Sequence, residues 1–445
     1  MKHPSNILSV MALLSGMAVS VDAGATNGLF LPGYGARSVG MGGTSIAISQ
    51  GAMDPASNPA NIAGMGEKLE IGAGIFNPPR RAYVDAEGSF FGDKTAEMRS
   101  ERDWFLIPSA GYTVPLNSDL TFGVTAYGNG LGVYYKPNGY DFNEVTDGHI
   151  SINLVQMIVP FTLAYKADET LSYGASFVFA AQAFKADGFG SFSSVTSDLD
   201  NYTDNGLDYS YGAGVRLGIT KKYPGKNLTL GGYYASRTYM TEFDDYRGLF
   251  AEQGDLDIPS HFGVGIAYEI TPRYLVAMDL VRIQWSEVAA IGNKGPEVYT
   301  GETLSTAAAG EVGQLGRDDG MGFGWEDQTV IKIGFRYQYT TDTDFSIGFN
   351  YGKTPIPQDQ LAFGVIGPAV TEKHLSLGYG TKLNGYTLFG AKEAELNISY
   401  LHAFKNKMSG LSPLGTRESD GQTFAGYAEF EMYQNQLEIS YGLKF

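Results

Sequence analysis

The feature that most constrains the fold is a series of about fourteen segments with strand-like alternation, each bounded by turn residues. We place them near residues 68–77, 102–114, 119–135, 151–166, 170–185, 207–220, 226–239, 257–270, 273–286, 326–340, 343–353, 371–383, 391–405 and 423–445. Nearly all reach or exceed the roughly ten residues that a tilted strand needs to cross a membrane. An even number of such strands predicts an all-β fold, a 14-stranded antiparallel outer-membrane β-barrel.

The connections between these segments alternate in length along the chain. Short turns are expected at 116–118, 167–169, 221–225, 271–272 and 341–342, with a medium turn at 384–390. Long connections are expected at 78–101, 136–150, 186–206, 240–256, 287–325, 354–370 and 406–422. Tight periplasmic turns and long outer loops are typical of a bacterial outer-membrane barrel, whereas a soluble β-sandwich has no reason to sort its loops in this way.

The alternation also predicts which side chains face lipid. In the last segment Leu437, Ile439 and Tyr441 share one face, and Gln436 and Glu438 share the other. A charge at the membrane midplane on the lipid face costs about 2–4 kcal/mol, so the charged rows should face the lumen. The segment from Ser151 to Tyr165 is apolar on both faces and contains Pro160, so its faces are left unassigned.

Composition agrees with a barrel and excludes several other classes. The chain contains 59 Gly, 29 Tyr and 26 Phe but only 18% charged residues, which favours an all-β protein with many turns. It has no cysteine, so an exported form would have no disulfide framework. The formal net charge of −17 argues against nucleic acid as a partner.

The N-terminal region has the pattern of a signal peptide. Lys2 is followed by an apolar run, Ile7 to Val19, and by small residues near Ala23 and Ala25, where we expect cleavage. We therefore assign residues 1–24 to the signal peptide.

A glycine-rich stretch, Gly28 to Ala60, follows and closes on Asn58-Pro59-Ala60. By composition alone it is either a flexible linker or a compact plug. Because a barrel supplies an interior in which it can pack, we expect a hatch (plug) at residues 25–66, followed by the barrel at 67–445.

Four blocks of sequence resemble a known family. They are, in order, Gly35-Ala36-Arg37 with glycines 40, 42 and 43, Asp54 and Asn58-Pro59-Ala60; Pro259 to Gly265 with Asp279 and Trp285; Trp325, Gly334, Tyr337, Gly348 and Thr354 to Pro357; and His374 to Gly380. Together they resemble FadL-type outer-membrane transporters, which carry long-chain fatty acids and other hydrophobic compounds inward. Within that resemblance Arg37 and Asn58-Pro59-Ala60 correspond to the family's hatch.

The resemblance implies a passive uptake route that needs no ATP. Ligand would be caught in an apolar groove among the outer loops, held in a pocket of the upper barrel and released sideways into the membrane. The release site would be a gap at an inward kink of the third strand, over Gly128, Asn129, Gly130, Leu131 and Gly132. Three glycines in five positions weaken strand pairing in any barrel, and an ordinary β-bulge is the alternative.

The resemblance also suggests residues that contact the ligand. Lys185, beside Phe184, lies near the family's basic residue that meets the ligand carboxylate, although a solvated rim lysine is the alternative. Glu326 stands where the fatty-acid transporter has a second basic residue, and a carboxylate there would repel an anionic head group unless protonated or paired. This departure favours a neutral ligand, such as a hydrocarbon or aromatic compound.

Apolar side chains on two long loops could form the capture groove. Candidates are Phe189, Phe192, Val195, Leu199, Leu207, Leu249 and Phe250. They would extract an apolar ligand from water at roughly 25 cal/mol per Å² buried. Packing of one loop on the other is the alternative for any single residue.

No catalytic pattern accompanies these features. The five histidines are scattered and no cysteine is present, so we expect no enzyme activity, no metal site and no cofactor. Asp244-Asp245 and Asp318-Asp319 are better explained as solvated loop carboxylates than as calcium ligands. A general diffusion porin or an adhesin-like barrel remains the alternative function.

The expected partners follow from a location in the bacterial outer membrane. They are a hydrophobic small molecule (fatty acid, hydrocarbon or aromatic compound), outer-membrane lipid and lipopolysaccharide. We also expect the barrel-assembly machinery to recognise the C-terminal Phe445, and the protein to be a monomer.

Overall fold

A computed structural model describes residues 27–85, 96–136, 148–295, 313–383, 385–419 and 422–445. The predicted signal peptide lies outside the described residues. The strands are β1 (Lys68–Asn77), β2 (Arg80–Asp85), β3 (Ala96–Arg99), β4 (Phe105–Pro115), β5 (Leu120–Tyr135), β6 (Ile150–Lys166), β7 (Leu171–Asp187), β8 (Asp208–Tyr223), β9 (Leu228–Ala235), β10 (Tyr239–Met240), β11 (His261–Thr271), β12 (Tyr274–Ile283), β13 (Gln328–Gln338), β14 (Thr343–Gly352), β15 (Lys373–Lys382), β16 (Glu393–Ser419) and β17 (Gln422–Lys444).

Fourteen of these strands form a closed antiparallel ring. Each pairs with its neighbour in the chain, and β1 closes the ring by pairing with β17 on one side and β4 on the other. The other three strands are accessory. β2 and β3 form a hairpin on the outer part of β17. β10 follows β9 in the chain and pairs with the same strand, β8. The predicted 14-stranded barrel is confirmed.

Two predicted outer loops differ from the structure. Residues 406–422 are largely strand, because β16 and β17 continue as a long hairpin beyond the ring. Cross-strand ion pairs support it, Lys405 with Glu431 at 2.6 Å and Lys407 with Glu429 at 2.7 Å. The predicted loop 78–101 contains the β2–β3 hairpin. We call the end of the ring that carries these long connections the outer end.

Exposure follows the predicted alternation. Leu437 and Ile439 are 42% and 45% exposed on the outside of the ring, whereas Gln436 and Glu438 are buried on the lumen side. The structure also distinguishes the two faces of β6, which the sequence did not assign. Leu154, Gln156 and Ile158 are buried in the lumen, and Leu163 and Tyr165 are exposed. The prediction that the last strand's charged row faces the lumen is confirmed.

Helical structure is confined to short turns. The α-helical turns are Ala36–Gly40, Ala251–Gly254 and Ala289–Gly292, and the 3₁₀ turns are Asp54–Ala56, Pro59–Ile62, Gly190–Ser194, Pro224–Lys226, Asp244–Tyr246, Trp285–Glu287 and Ala362–Val365. Within the described residues, none of the helices has the length and apolar character needed to cross a bilayer.

Residues 27–66, which we call the N-terminal segment, lie inside the ring. The segment is mostly buried, and its polar contacts reach lumen-facing side chains on opposite walls, from Thr125 of β5 to Glu395 of β16. Above it, the large hydrophobic core joins the upper barrel wall to the outer loops. Segment and core together occupy much of the lumen of the described structure.

Candidate functional site

An apolar cavity of about 40 Å³ lies among the outer loops. Its lining is Ile152, Phe189, Phe192, Leu249, Phe250, Ala290, Leu315, Met321, Gly322, Phe323, Phe363 and Ile366. None of the described residues in that lining carries a charged side chain. We call this cavity the outer pocket; only apolar surface of a ligand would be stabilised there.

Aromatic rings form much of its wall. Phe192 lies between Phe189, at 5.9 Å between ring centroids, and Phe363, at 6.0 Å. Phe323 contacts Phe363 at 6.1 Å. Phe184 packs beneath Phe250 at 4.7 Å. These separations are typical of aromatic pairs in cores.

The structure brings together four of the residues predicted for the capture groove, namely Phe189, Phe192, Leu249 and Phe250. Seven of the twelve lining residues come from two other loops, 287–325 and 354–370. The sequence signal for those residues was their apolar character on long outer loops, but nothing in it pairs Phe363 with Phe192.

Three other predicted groove residues lie elsewhere. Leu199 and Leu207 are 65% and 47% exposed and are not part of the lining. Val195 is buried in the core next to the pocket without lining it.

Lys185 does not point toward the pocket. On β7 the even-numbered side chains, including Phe184, are buried in the lumen, so Lys185 lies on the outward face. Its Nζ forms an ion pair with Asp187 at 3.0 Å. This placement corresponds to the rim alternative rather than to a ligand contact.

Glu326 also lies away from the outer pocket. Its side chain is exposed, while its backbone N–H donates to the Pro355 carbonyl at 2.8 Å. The adjacent Trp325 turns inward and packs on Trp285 at 5.4 Å. The sequence argument that Glu326 would repel an anionic ligand therefore does not apply to this geometry.

A second cavity of about 40 Å³ lies deeper, against the N-terminal segment. Phe30 of the segment packs on His261 at 5.1 Å and on Trp285 at 5.0 Å at its upper side. Tyr34 and Lys332 contribute polar groups to the lining. We call this cavity the inner pocket; apolar rings and these two polar side chains meet in its wall.

Asn58-Pro59-Ala60 docks on a pair of wall glycines. Gly174 of β7 and Gly218 of β8 are direct cross-strand partners. A Cβ on Gly174 would overlap the Pro59 backbone, and one on Gly218 would overlap the Asn58 side chain. Glycine at both positions lets the motif lie flat on the wall.

The Asn58 side chain, itself fully buried, fixes this contact by hydrogen bonds. Its Nδ2 donates to the Ile46 carbonyl at 2.7 Å and to Thr220 Oγ1 at 3.1 Å, and its Oδ1 accepts from the Ala60 N–H at 3.0 Å. It joins two passes of the N-terminal segment to β8, which is the physical role of the predicted hatch motif in this structure.

Arg37 ties the other side of the segment to the wall. Its guanidinium contacts Asp344 of β14 at 3.3 Å and Glu395 of β16 at 3.4 Å. Burial alone would lower the pKa of Arg37, but these two carboxylates outweigh it and hold the pKa above its usual range.

Asp54 is a buried carboxyl within the segment. Its oxygens accept N–H groups of Gln50, at 2.9 Å, and Gly51, at 3.3 Å. Burial raises the pKa of Asp54 to about 8 despite these hydrogen bonds.

Pairing between β4 and β5 is interrupted toward the outer end. The strands pair from Pro115–Thr121 up to Ala110–Ala126, and a single bridge, Ser100 to Tyr135, joins the two walls again higher up. Between those points residues 105–109 and 127–133 have no ladder pairing with each other, although both stretches belong to the described part of the chain. We call this interval the β4–β5 gap.

The third strand of the ring bends inward at this gap. Residues 125–133 of β5 are all buried, so the alternation of the other wall strands is lost there. Asn129 Oδ1 accepts the Tyr34 hydroxyl at 3.0 Å and lies 3.4 Å from the Leu31 N–H. Burial raises the pKa of Tyr34, which keeps this hydroxyl a donor.

The lumen side of the gap is occupied rather than open. Phe105 lies against Gly132, packs on Phe76 at 6.2 Å and belongs to a cluster with Leu31 and Ile107. The predicted glycine run thus lies at an interrupted strand pair that touches the N-terminal segment.

Arg216 connects the gap region with the segment. It is buried on β8, and its guanidinium donates to the Pro55 carbonyl at 2.7 Å and to the Tyr127 hydroxyl at 2.9 Å. The Tyr127 ring packs on Tyr34 at 4.2 Å. Sequence reasoning did not identify Arg216, because its partners are 89 and 161 residues away in the chain.

Comparisons with known proteins agree with this architecture. A family model described as "Outer membrane protein transport protein (OMPP1/FadL/TodX)" matches residues 17–409. No protein of curated function matches the chain in sequence.

Solved structures share the fold. The toluene transporter TodX of Pseudomonas putida is 19% identical, with 94% of this chain and 99% of that chain covered and a TM-score of 0.64. A FadL homologue of Pseudomonas aeruginosa is 14% identical, with 94% and 100% covered and a TM-score of 0.65. The toluene transporter TbuX of Ralstonia pickettii is 17% identical, with 93% and 99% covered and a TM-score of 0.59.

Proposed function

Because the chain belongs to the OMPP1/FadL/TodX family of outer membrane transport proteins, we propose that it takes up a hydrophobic compound in three steps. The compound is captured in the outer pocket, held in the inner pocket and released through the β4–β5 gap. Members of this family are outer-membrane β-barrels that transport hydrophobic compounds, so the protein is a transporter and not an enzyme.

The outer pocket carries the proposal. Its lining is apolar, lies on the outer loops and is built from four separate parts of the chain besides Ile152 of the wall. Five phenylalanine rings that would otherwise face water are gathered at one place, which favours a compound with an exposed apolar surface.

The cavity is smaller than a ligand. At about 40 Å³ it has little more room than one water molecule, whereas a cavity of about 150 Å³ holds benzene. Binding therefore requires Phe192, Phe363 or their loops to move apart. The present structure corresponds to the closed state of the pocket.

The inner pocket supports retention below the outer loops. Phe30 belongs to the first residues of the N-terminal segment and packs on both His261 and Trp285, so a ligand that displaces Phe30 would gain contact with these two side chains. A neutral compound would use the apolar wall of this pocket.

The β4–β5 gap supports sideways release. It lacks strand pairing, lies at the level of the inward-bent β5 and is closed from within by Phe105 and the Leu31 region of the segment. A hydrophobic compound that leaves there enters the membrane without crossing the polar contacts around Arg37 at the other end of the lumen.

The experiment separates capture from release. Toluene and a long-chain fatty acid are tested as ligands in proteoliposomes, with binding and uptake measured separately. Gly128→Val with Gly130→Val should abolish uptake and leave binding unchanged, because the added side chains favour a straight, paired β5. Unchanged uptake in this variant would refute sideways release.

A second pair of variants tests capture. Phe192→Tyr keeps the ring but places a hydroxyl in the apolar lining and should weaken binding, whereas Leu199→Ser changes an exposed residue outside the pocket and should not. Equal binding by both variants would refute the assignment of the outer pocket.

A further inference from the structure

Asp279 and Lys332 are charged neighbours that face the lumen. Asp279 of β12 stands directly opposite Lys332 of β13 in the strand register. Directly opposed residues on one face of an antiparallel pair have Cβ atoms about 4.5–5.5 Å apart, within reach of an Asp–Lys ion pair. Asp279 is 1% exposed, so its charge needs a partner.

In the structure each side chain binds the N-terminal segment instead. Asp279 Oδ2 accepts the N–H groups of Ser45, at 2.7 Å, and Ile46, at 3.1 Å. Lys332 Nζ donates to the carbonyl of Pro32, at 2.7 Å, and lies 3.4 Å from that of Gly43. The backbone of the segment therefore occupies the hydrogen-bonding positions that the two charges would otherwise offer each other.

Wall glycines around this site permit the close approach. A Cβ on Gly265, the β11 partner of Asp279, would overlap Asp279 and Ile46. A Cβ on Gly334, two residues along β13 from Lys332, would overlap the Met41 carbonyl. The segment is thus fitted to the wall at the place where the two charges hold it.

Withdrawal of the segment changes the partners of both groups at once. The carboxylate loses two N–H donors and the ammonium loses its carbonyl acceptors. Loss of these hydrogen bonds without replacement would oppose withdrawal of the segment. Since the groups are opposed in register, a direct ion pair can replace the lost contacts.

We propose that Asp279 and Lys332 form a two-state charge clamp, which holds the backbone of residues 32–46 in the docked state and closes on itself when the segment leaves. The clamp positions the segment and also lowers the cost of displacing it. The inference rests on the proposed function in one respect only, namely that the segment moves during transport.

A double-mutant cycle in a single-cysteine background tests the clamp without any ligand. The chain has no cysteine, so one introduced thiol is unique. Ser38 of the segment is 3% exposed and its Oγ has no hydrogen-bond partner among the described residues. Ser38→Cys therefore introduces a thiol that is shielded in the docked state without loss of a hydrogen bond. The rate of modification by N-ethylmaleimide then reports the displaced fraction when docking is fast relative to reaction.

The cycle compares Asp279→Asn, Lys332→Met and the combination. Each single variant removes a docked contact and also leaves one unpaired charge in the displaced state, so the two effects on the rate oppose each other. The combined variant leaves no unpaired charge. Its rate increase should exceed the product of the two single increases by about tenfold, the equivalent of about 1.4 kcal/mol of coupling.

Two results would overturn the clamp. If the charges act only in the docked state, the combined increase will equal the product of the single increases or fall below it. If the two single variants and the combined variant all leave the rate at the parent value, neither side chain holds the segment. Heat-modifiable migration on gels confirms that each variant has a folded barrel, and because no ligand is used, failure of uptake would leave this result standing.

Discussion

Substitution of alanine for Gly218 should loosen the N-terminal segment at its Asn58 contact. The added Cβ would overlap Asn58 Oδ1, and it would lie 2.8 Å from Pro59 Cδ. Asn58 cannot turn away, because its amide is held by Ile46 and Thr220. Overpacking of a close-packed contact costs about 1–3 kcal/mol, which shifts the docking equilibrium by about 5- to 150-fold toward the displaced state.

Ion current through single proteins in planar bilayers measures this shift, since a displaced segment opens the lumen. Gly232→Ala on β9 is the matched control: it makes the same change in a wall strand, but the nearest atom to its Cβ is 3.7 Å away. Open events should be frequent with Gly218→Ala and remain at the parent frequency with Gly232→Ala. The same frequency in both variants would show that the Asn58 contact does not hold the segment in place.

Three further outcomes are expected. The pKa of Asp54 is about 8 when the segment is docked and near 4 when it is displaced, so between these pH values only the docked state retains the proton. Open events should therefore increase as pH rises from 4 to 8, by at most about tenfold per pH unit. Asp54→Asn should remove this dependence in current recordings. Phe363→Ala should enlarge the outer pocket by roughly 100 Å³ and tighten toluene binding measured by calorimetry. The control variant Leu199→Ala should bind toluene with the affinity of the parent protein. Weaker binding by Phe363→Ala would contradict a closed pocket. Arg37→Met should raise the open-event frequency by about 5- to 150-fold, because the loss of these partly exposed ion pairs costs about 1–3 kcal/mol. Arg37→Lys should restore part of the docking, and a parent-like frequency in Arg37→Met would contradict a role for these ion pairs.

Much of the site could be predicted because part of its geometry is local. The glycine run of β5 signalled weak pairing from its composition, and the β4–β5 gap lies over it. The outward direction of Lys185 was also available from the sequence, because neighbouring residues of a strand point to opposite sides and Phe184 faces the lumen. The family resemblance placed Lys185 at the ligand, whereas strand alternation places it on the rim.

Other residues of the site could not be predicted, because their partners are distant in the chain. Phe192 and Phe363 meet only after two outer loops fold over the ring. Glu326 was read as a ligand neighbour, but the turn at Trp325 directs the indole inward and the carboxylate outward. Arg216 carries no local signal, since its role comes from Pro55 and Tyr127.

The sequence by itself determined the barrel, because alternation with period two, strand length and loop length are local properties, and the cost of a charge facing lipid applies residue by residue. Only the tertiary structure decided what the glycine-rich N-terminal stretch does. Asn58-Pro59-Ala60 meets Gly174 and Gly218, and Ser45 meets Asp279, only when the ring has closed around the segment. A linker and a plug have the same composition, and the difference between them lies in the wall that surrounds the chain.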